Sequence, residues 1–156
     1  RGVTTKLPGL FGLLAAGSGP FVLGHPVYDP DTIASAIRIG NPASWELALT
    51  ARDNTKGYFG AIDDETILRA QRILSAQVGI FVEPASAISV AGLLERAEAG
   101  EIPAGSTVVL TVTGHGLKDP QWALRKEDGS QVEPTVVSVD VDEVAGVLGL
   151  SKGGLL

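Results

Sequence analysis

Cysteine is absent from these 156 residues, and histidine occurs only twice, at His25 and His115. Disulfides, thiolate catalysis and cysteine–zinc sites are therefore excluded. A three-histidine metal site cannot be built from one chain. Aromatic residues make up only 5%, so Val, Ile, Leu, Ala and Gly must fill any core. That mixture suits buried parallel strands and close helix–sheet packing. Net positive charge is also lacking. The formal charge of −6 argues against a nucleic acid or an anionic membrane as the main partner, while leaving room for a local anion site. No disulfide is needed, which fits a cytoplasmic protein.

A long uninterrupted apolar run is missing as well. The segment LPGLFGLLAAGSG after Arg1 and Lys6 has the outline of a secretory signal, but residues 8–20 hold two prolines and four glycines. Such a segment is a poor membrane helix and reads better as buried interior chain. The sequence opens on Arg1 rather than on Met, and the expectation is a piece of a longer protein.

What is present alternates between strand and helix signals. FVLG (21–24) reads as a short strand. Asp29 and Pro30 then look like the N-cap and first position of a helix carrying Ile33, Ala36 and Ile37. Asn41 is placed to cap a second helix through WELALTARD. TKGYFGAID supplies another strand. Asp63 and Asp64 open a helix on which Ile67, Leu68, Ala70, Ile73 and Leu74 recur at helical spacing, with Gly79 as terminator. IFVE (80–83) reads as a buried strand, Pro84 starts the next helix, and Gly100 stops it. TVVLTVT (107–113) is the strongest strand signal in the chain. A short helix is expected around Trp122, a strand in PTVVSVDV and a last helix through EVAGVL. The pattern predicts an α/β fold, a three-layer αβα arrangement on a mostly parallel sheet. Composition marks no sharp internal boundary.

In open α/β sheets, ligands gather beyond the carboxyl ends of the strands. Three such places carry polar or glycine-rich text: IRIGNPASW (37–45), FVEPASA (81–87) and TVTGHGLKD (111–119). Thr113-Gly114-His115 lacks the spacing of a nucleophile elbow, so a Ser/His/Asp hydrolase is disfavoured. Gly114 and Gly116 lack the third glycine of a dinucleotide fingerprint. A pyridoxal phosphate site is the third reading. A pyridine nitrogen facing a neutral hydroxyl stays largely unprotonated and makes a milder electron sink than one paired with a carboxylate. That favours elimination and replacement at side-chain carbons, chemistry the cofactor performs and the protein tunes. Thr113, at the end of the strongest strand signal, is suitably placed to be that hydroxyl.

The segments IRIGNPASW, IFVEPASA and TVTGHGLKDP, in this order and spacing, resemble those of threonine synthase, a pyridoxal-phosphate enzyme of fold type II (the tryptophan-synthase-β-like group). The resemblance runs from the LPGLFG region to about residue 125. It implies that residues 1–125 are the C-terminal part of the catalytic, large domain; residues 126–156, which it does not cover, are expected from their pattern to be an extension of a strand and a short helix. It also implies the cofactor pyridoxal 5'-phosphate and a lyase of amino-acid biosynthesis, specifically of threonine. The substrates would be O-phospho-L-homoserine and water: protons leave the α and β carbons, phosphate leaves the γ carbon, and water adds at the β carbon. By the same resemblance Thr113 would share the hydrogen bond at the pyridine nitrogen. Gly40 and Asn41 would lie beside the ring, Glu83 would line its wall, and Gly114 and Gly116 would admit close backbone approach. The family's Schiff-base lysine and its glycine- and asparagine-rich phosphate loop have no counterpart here, so no catalytic residue is assigned and the chain alone is expected to be inactive. The family is often dimeric, which leaves a homodimer open for the full-length enzyme; neither nucleic acid nor membrane is expected as a partner. A serine/threonine dehydratase-like lyase and a non-catalytic ligand-binding module are the alternatives.

Plainer roles stand beside these. Thr113 could satisfy a local backbone group, and Glu83 could sit before Pro84 only for the helix dipole. Lys118-Asp119 reads as a structural ion pair or turn, Arg38 as a structural arginine, His115 as a loop histidine as readily as a ligand contact, and Trp45 and Trp122 as packing anchors. His25 is assigned no function.

Overall fold

A computed structural model describes residues 2–126 and 128–150. The chain divides into two compact units, Arg1–Ala123 and Leu124–Leu156.

Helices and a parallel sheet make up the first unit. Strand β1 is Phe11–Ala15, within the segment that outlined a secretory signal; Ala15 is fully buried, but Leu7, Leu10 and Phe11 are exposed, so the segment is not the buried interior chain expected. It pairs in parallel with β2, Tyr58–Ile62, from Phe11 opposite Tyr58 to Ala15 opposite Ile62. A parallel pair needs a long crossover, and residues 16–57 provide it. They contain α1 (Pro20–Leu23), a 3₁₀ turn at Ser35–Ile37 and α2 (Trp45–Asn54). FVLG is thus not a strand: Pro20 stands at the first position of a short helix, which Gly24 ends in a left-handed conformation.

The helix expected after Asp29-Pro30 is absent too. Its backbone and side chains bond elsewhere: the Asp31 N–H donates to the Gly17 carbonyl, and Thr32 and the Ile33 N–H donate to the Asp64 carboxylate at 2.5 and 3.1 Å. Arg38 closes the segment by donating twice to the Thr32 carbonyl, at 3.0 and 2.5 Å, the structural task expected of it. Ser44, not Asn41, stands at the N-cap of α2.

The core lies along α3 (Asp64–Ile73) and α4 (Pro84–Glu98). Asp63 caps α3 by accepting from the Thr66 N–H and hydroxyl, both at 2.9 Å. These bonds hold its carboxyl below the ordinary aspartate range, the backbone N–H of Thr66 contributing most. Ile67, Leu68, Ala70 and Gln71 form the buried side of α3. A π-helical turn, Leu74–Val78, follows and ends at Gly79. The first half of α4 is apolar and small on all sides and is buried almost throughout, from Pro84 to Gly92. A helix buried all round belongs inside the protein. Ala15, Ile62, Ile67, Val82, Ala87, Ile88 and Ala91 form one cluster, so β1, β2, α3 and α4 share a core.

The expected strand at 107–113 joins no β ladder among the described residues. Val109 is 87% exposed. IFVE shrinks to an antiparallel bridge between Val82 and His115. The second unit has no ladder in PTVVSVDV either. It contains an isolated bridge, Arg125 with Gln131, and α6 (Val141–Val147), capped by Asp140 through the N–H groups of Asp142 and Glu143, both at 3.0 Å. A short helix at the end of the first unit, α5 (Pro120–Ala123), contains Trp122 as expected.

Candidate functional site

The polar text at 111–119 folds onto the N-terminal end of α4. Two backbone bonds join the strands of text: the Glu83 N–H donates to the Gly114 carbonyl at 3.0 Å, and the Gly116 N–H to the Phe81 carbonyl at 3.2 Å. A 3₁₀ turn, Gly116–Lys118, follows, with His115 at its N-cap accepting from the Leu117 N–H at 3.2 Å. The His115 ring stands edge-on to Phe81 at 5.4 Å. His115 is therefore satisfied locally through Nδ1.

Ser86 is the hub of this region. The N–H groups of Gly114 and Thr113 lie 2.6 and 3.2 Å from its Oγ, and the Thr113 Oγ1 lies 2.9 Å away. One turn further along α4, the Ser89 hydroxyl lies 3.1 Å from the Ser86 carbonyl and 3.4 Å from the Thr111 carbonyl. Side chains spaced three apart share a helix face, and here they latch an extended segment that has no sheet neighbour. Thr113 itself remains exposed at the protein surface, with its hydroxyl at the latch.

Glu83 is buried to 2% exposure and precedes Pro84 at the start of α4. Its partner is Lys118, whose ammonium donates to Oε1 at 3.3 Å and lies 3.2 Å from Oε2. The contact to Oε2 lacks hydrogen-bond geometry, so that buried oxygen keeps charge contact and accepts no hydrogen bond among the described groups. Lys118-Asp119 thus forms the end of a turn, one of its two expected roles, and the ion pair is made with Glu83. Lys118 serves Glu83, and Asp119 accepts from the Ser35 hydroxyl at 2.6 Å. That bond ties the turn before IRIGNP to the turn after TGHG, across 84 residues of sequence.

Of the residues expected around a cofactor, Glu83, Thr113 and Gly114 come together. Gly114 packs so closely that a Cβ there would fall 1.8 Å from Glu83 Oε1. Gly116 is buried against the Phe81 ring. Gly40 is engaged elsewhere: its carbonyl accepts from the Val27 N–H at 2.9 Å, and a Cβ would meet the Val27 oxygen at 1.8 Å. Asn41 beside it is exposed. Trp45 packs with Phe21, centroids 4.8 Å apart, and Phe21 stacks on Phe59 at 4.7 Å. An apolar groove of about 280 Å³ opens there between Leu13, Leu14, Phe21, Ile37, Ile39 and Phe59. His25 lies in an exposed turn with Nδ1 3.0 Å from the Pro26 carbonyl.

Sequence reasoning missed Ser86, Ser89, Ser35 and the Lys118–Glu83 pair. The two α4 serines carry a usable signal, since positions 86 and 89 fall on one helical face. The other contacts span 35 and 84 residues, and no local pattern announces them.

The pieces fit a pyridine-ring ligand in two respects. An exposed neutral hydroxyl stands at Thr113, and a buried carboxylate oxygen of Glu83 has no donor. A free lysine at this turn is what they do not provide, because Lys118 is committed to Glu83.

Comparison with known proteins narrows the reading. A family model described as pyridoxal-phosphate dependent enzyme matches residues 5–114. The chain is 52% identical over 152 residues to a threonine synthase of Mycobacterium bovis, covering 96% of this chain and 41% of that protein. Identity to a threonine synthase of Synechocystis is 48%, covering 92% of this chain and 37% of the relative. The figure for a threonine synthase of Methanocaldococcus jannaschii is 41%, with 94% and 37% covered. The chain thus spans about two fifths of the length of these curated relatives. Among solved structures, a fungal L-serine ammonia-lyase from Rhizomucor miehei shares the fold at a TM-score of 0.56 and 20% identity, over 76% of this chain and 41% of that one.

Proposed function

Because the chain belongs to the pyridoxal-phosphate-dependent enzyme family, we propose that it is the C-terminal part of a threonine synthase, which converts O-phospho-L-homoserine and water to L-threonine and phosphate. What carries the choice is the likeness to threonine synthases along nearly the whole chain. The latched Thr113 turn supports the choice of residues. In this reading the Schiff-base lysine and the phosphate loop belong to a preceding part of the protein, and the isolated chain is inactive. The extended segment 107–113 becomes a strand once that part supplies its neighbours. Residues 126–156 form an extension beyond the catalytic domain. A cytoplasmic location and a homodimer of the full-length enzyme go with the proposal.

Bound pyridoxal phosphate supplies an electron sink for negative charge on the substrate's side-chain carbons. The chain's own residues hold and shape its surroundings. Thr113 offers a neutral hydroxyl to the ring nitrogen, so no carboxylate draws a proton onto that nitrogen. Glu83, buried and paired with Lys118, forms a fixed wall whose free oxygen accepts from a donor on the bound molecule. Gly114 keeps backbone rather than side chain at the turn. Gly40 and Asn41 flank the ring in this proposal; at present the Gly40 carbonyl is bonded to the Val27 N–H and Asn41 is exposed.

The test uses the full-length protein. Phosphate release from O-phospho-L-homoserine with formation of threonine is the expected result. Ammonia release from threonine without phosphate release from O-phospho-L-homoserine would make it a dehydratase-like lyase. Failure to bind pyridoxal phosphate would make it a non-catalytic module.

A further inference from the structure

Ser86 has no part in the reaction as read above, yet it is the best-bonded hydroxyl in the region. It is 2% exposed on the first turn of α4. Two N–H groups donate to its Oγ, from Gly114 at 2.6 Å and Thr113 at 3.2 Å. A hydroxyl has two acceptor lone pairs and one proton. With both lone pairs engaged, Ser86 can only donate. Two acceptors are in reach, the Thr113 Oγ1 at 2.9 Å and the Gly114 carbonyl at 3.2 Å. The Thr113 oxygen is the nearer and takes the Ser86 proton; the Gly114 carbonyl, which also accepts from the Glu83 N–H at 3.0 Å, is the longer contact. Thr113 then accepts from Ser86 and must point its own proton elsewhere, toward its exposed side.

Resting on the threonine synthase reading, we propose that Ser86 is a positioning residue that sets the direction of the hydrogen bond at Thr113. The chain of bonds runs one way, from backbone N–H to Ser86 to Thr113 and outward, and such chains reinforce one another. Thr113 is thereby a donor to an unprotonated ring nitrogen, and its proton is kept from turning inward. Without the Ser86 hydroxyl, nothing fixes the direction of the Thr113 proton, and the ring nitrogen loses its oriented donor.

The experiment measures pyridoxal phosphate dissociation and the pH dependence of the bound cofactor's absorption in the full-length protein, for wild type, Thr113→Val, Ser86→Ala and Ser86→Thr. Thermal melts follow folding. A lost hydrogen bond near 1 kcal/mol predicts dissociation constants raised roughly five- to tenfold in Ser86→Ala and Thr113→Val. In both, absorption should become more pH-sensitive as the ring nitrogen takes up a proton. Ser86→Thr, which keeps the hydroxyl, should stay within about twofold of wild type, a change far below the worth of one such bond. If Ser86→Ala does not fold, Ser86→Cys serves in its place. Its thiol is a weaker donor, so partial weakening is expected, and wild-type behaviour would overturn the inference. Thr113→Val altered while Ser86→Ala matches wild type would overturn it and leave the threonine synthase reading standing. Equal weakening in Ser86→Ala and Ser86→Thr would reduce Ser86 to a space-filler and overturn it too. A wild-type protein that binds no pyridoxal phosphate would remove both the reading and the inference.

Discussion

The helices α3 and α4 and the extended segment 107–113 are both rich in apolar residues, and they end in opposite states. Ile67 on α3 is fully buried, while Val109 is 87% exposed. A helix closes its backbone hydrogen bonds within itself and needs only one or two neighbours for its apolar face. A strand leaves its backbone groups to other strands. The helices find their neighbours in β1, β2 and each other; the segment finds two serine side chains of α4 and lays only Leu110 against the core. An apolar run rich in β-branched residues therefore declares a disposition to pair, and its partners decide whether it does.

The sharpest contrast comes from truncating one residue in each region and following urea unfolding of the chain. Ile67→Ala should cost about 4 kcal/mol, through lost burial and the cavity left behind. Equal losses for Ile67→Ala and an exposed valine at 107–113 would erase the distinction. Next in size is the ion pair where the regions meet. Lys118→Ala leaves the buried Glu83 carboxylate without its cation and should cost about 3 kcal/mol. Glu83→Ala leaves only an exposed lysine and should cost clearly less, and the reverse order would contradict the described geometry. Gly114→Ala pushes a methyl group into Glu83 Oε1 and should cost about 2 kcal/mol by overpacking.

Asp63→Ala removes the α3 cap and should cost about 1 kcal/mol. Its carboxyl is held below the ordinary range by bonds from Thr66. The cap's stabilisation is therefore fully present above the unfolded-state value near 3.9. It is lost as pH falls through the lower folded value. Asp63→Asn should keep most of the cap and lose that pH dependence. Smallest of all, Val109→Ala in the isolated chain should stay within about 0.5 kcal/mol of wild type.

The same contrast explains what was legible in the sequence. The spacing of Ile67, Leu68 and Ala70, the Asp63 cap and the Pro84 start are local signals, and they appear where expected. The α/β character was legible for the same reason. FVLG was misread because four apolar residues suit a strand or a helix, and Pro20 with Gly24 decides for the helix. Residues 29–37 carry a good helix start, but Asp64, Gly17 and Thr32 draw their polar groups into other bonds. Thr113, Gly114 and Glu83 were legible through family resemblance and do assemble. Ser86 was not singled out, because its value comes from a turn 27 residues away.

Amide hydrogen exchange at residues 107–112 tests most directly whether this segment is a strand waiting for its neighbours. It is measured in the isolated chain and in the full-length protein, with the α3 and α4 amides as internal reference. The account predicts fast exchange in the isolated chain beside slow exchange in α3 and α4, and strong slowing at 107–112 in the full-length protein. Exchange equally fast in both forms would contradict it.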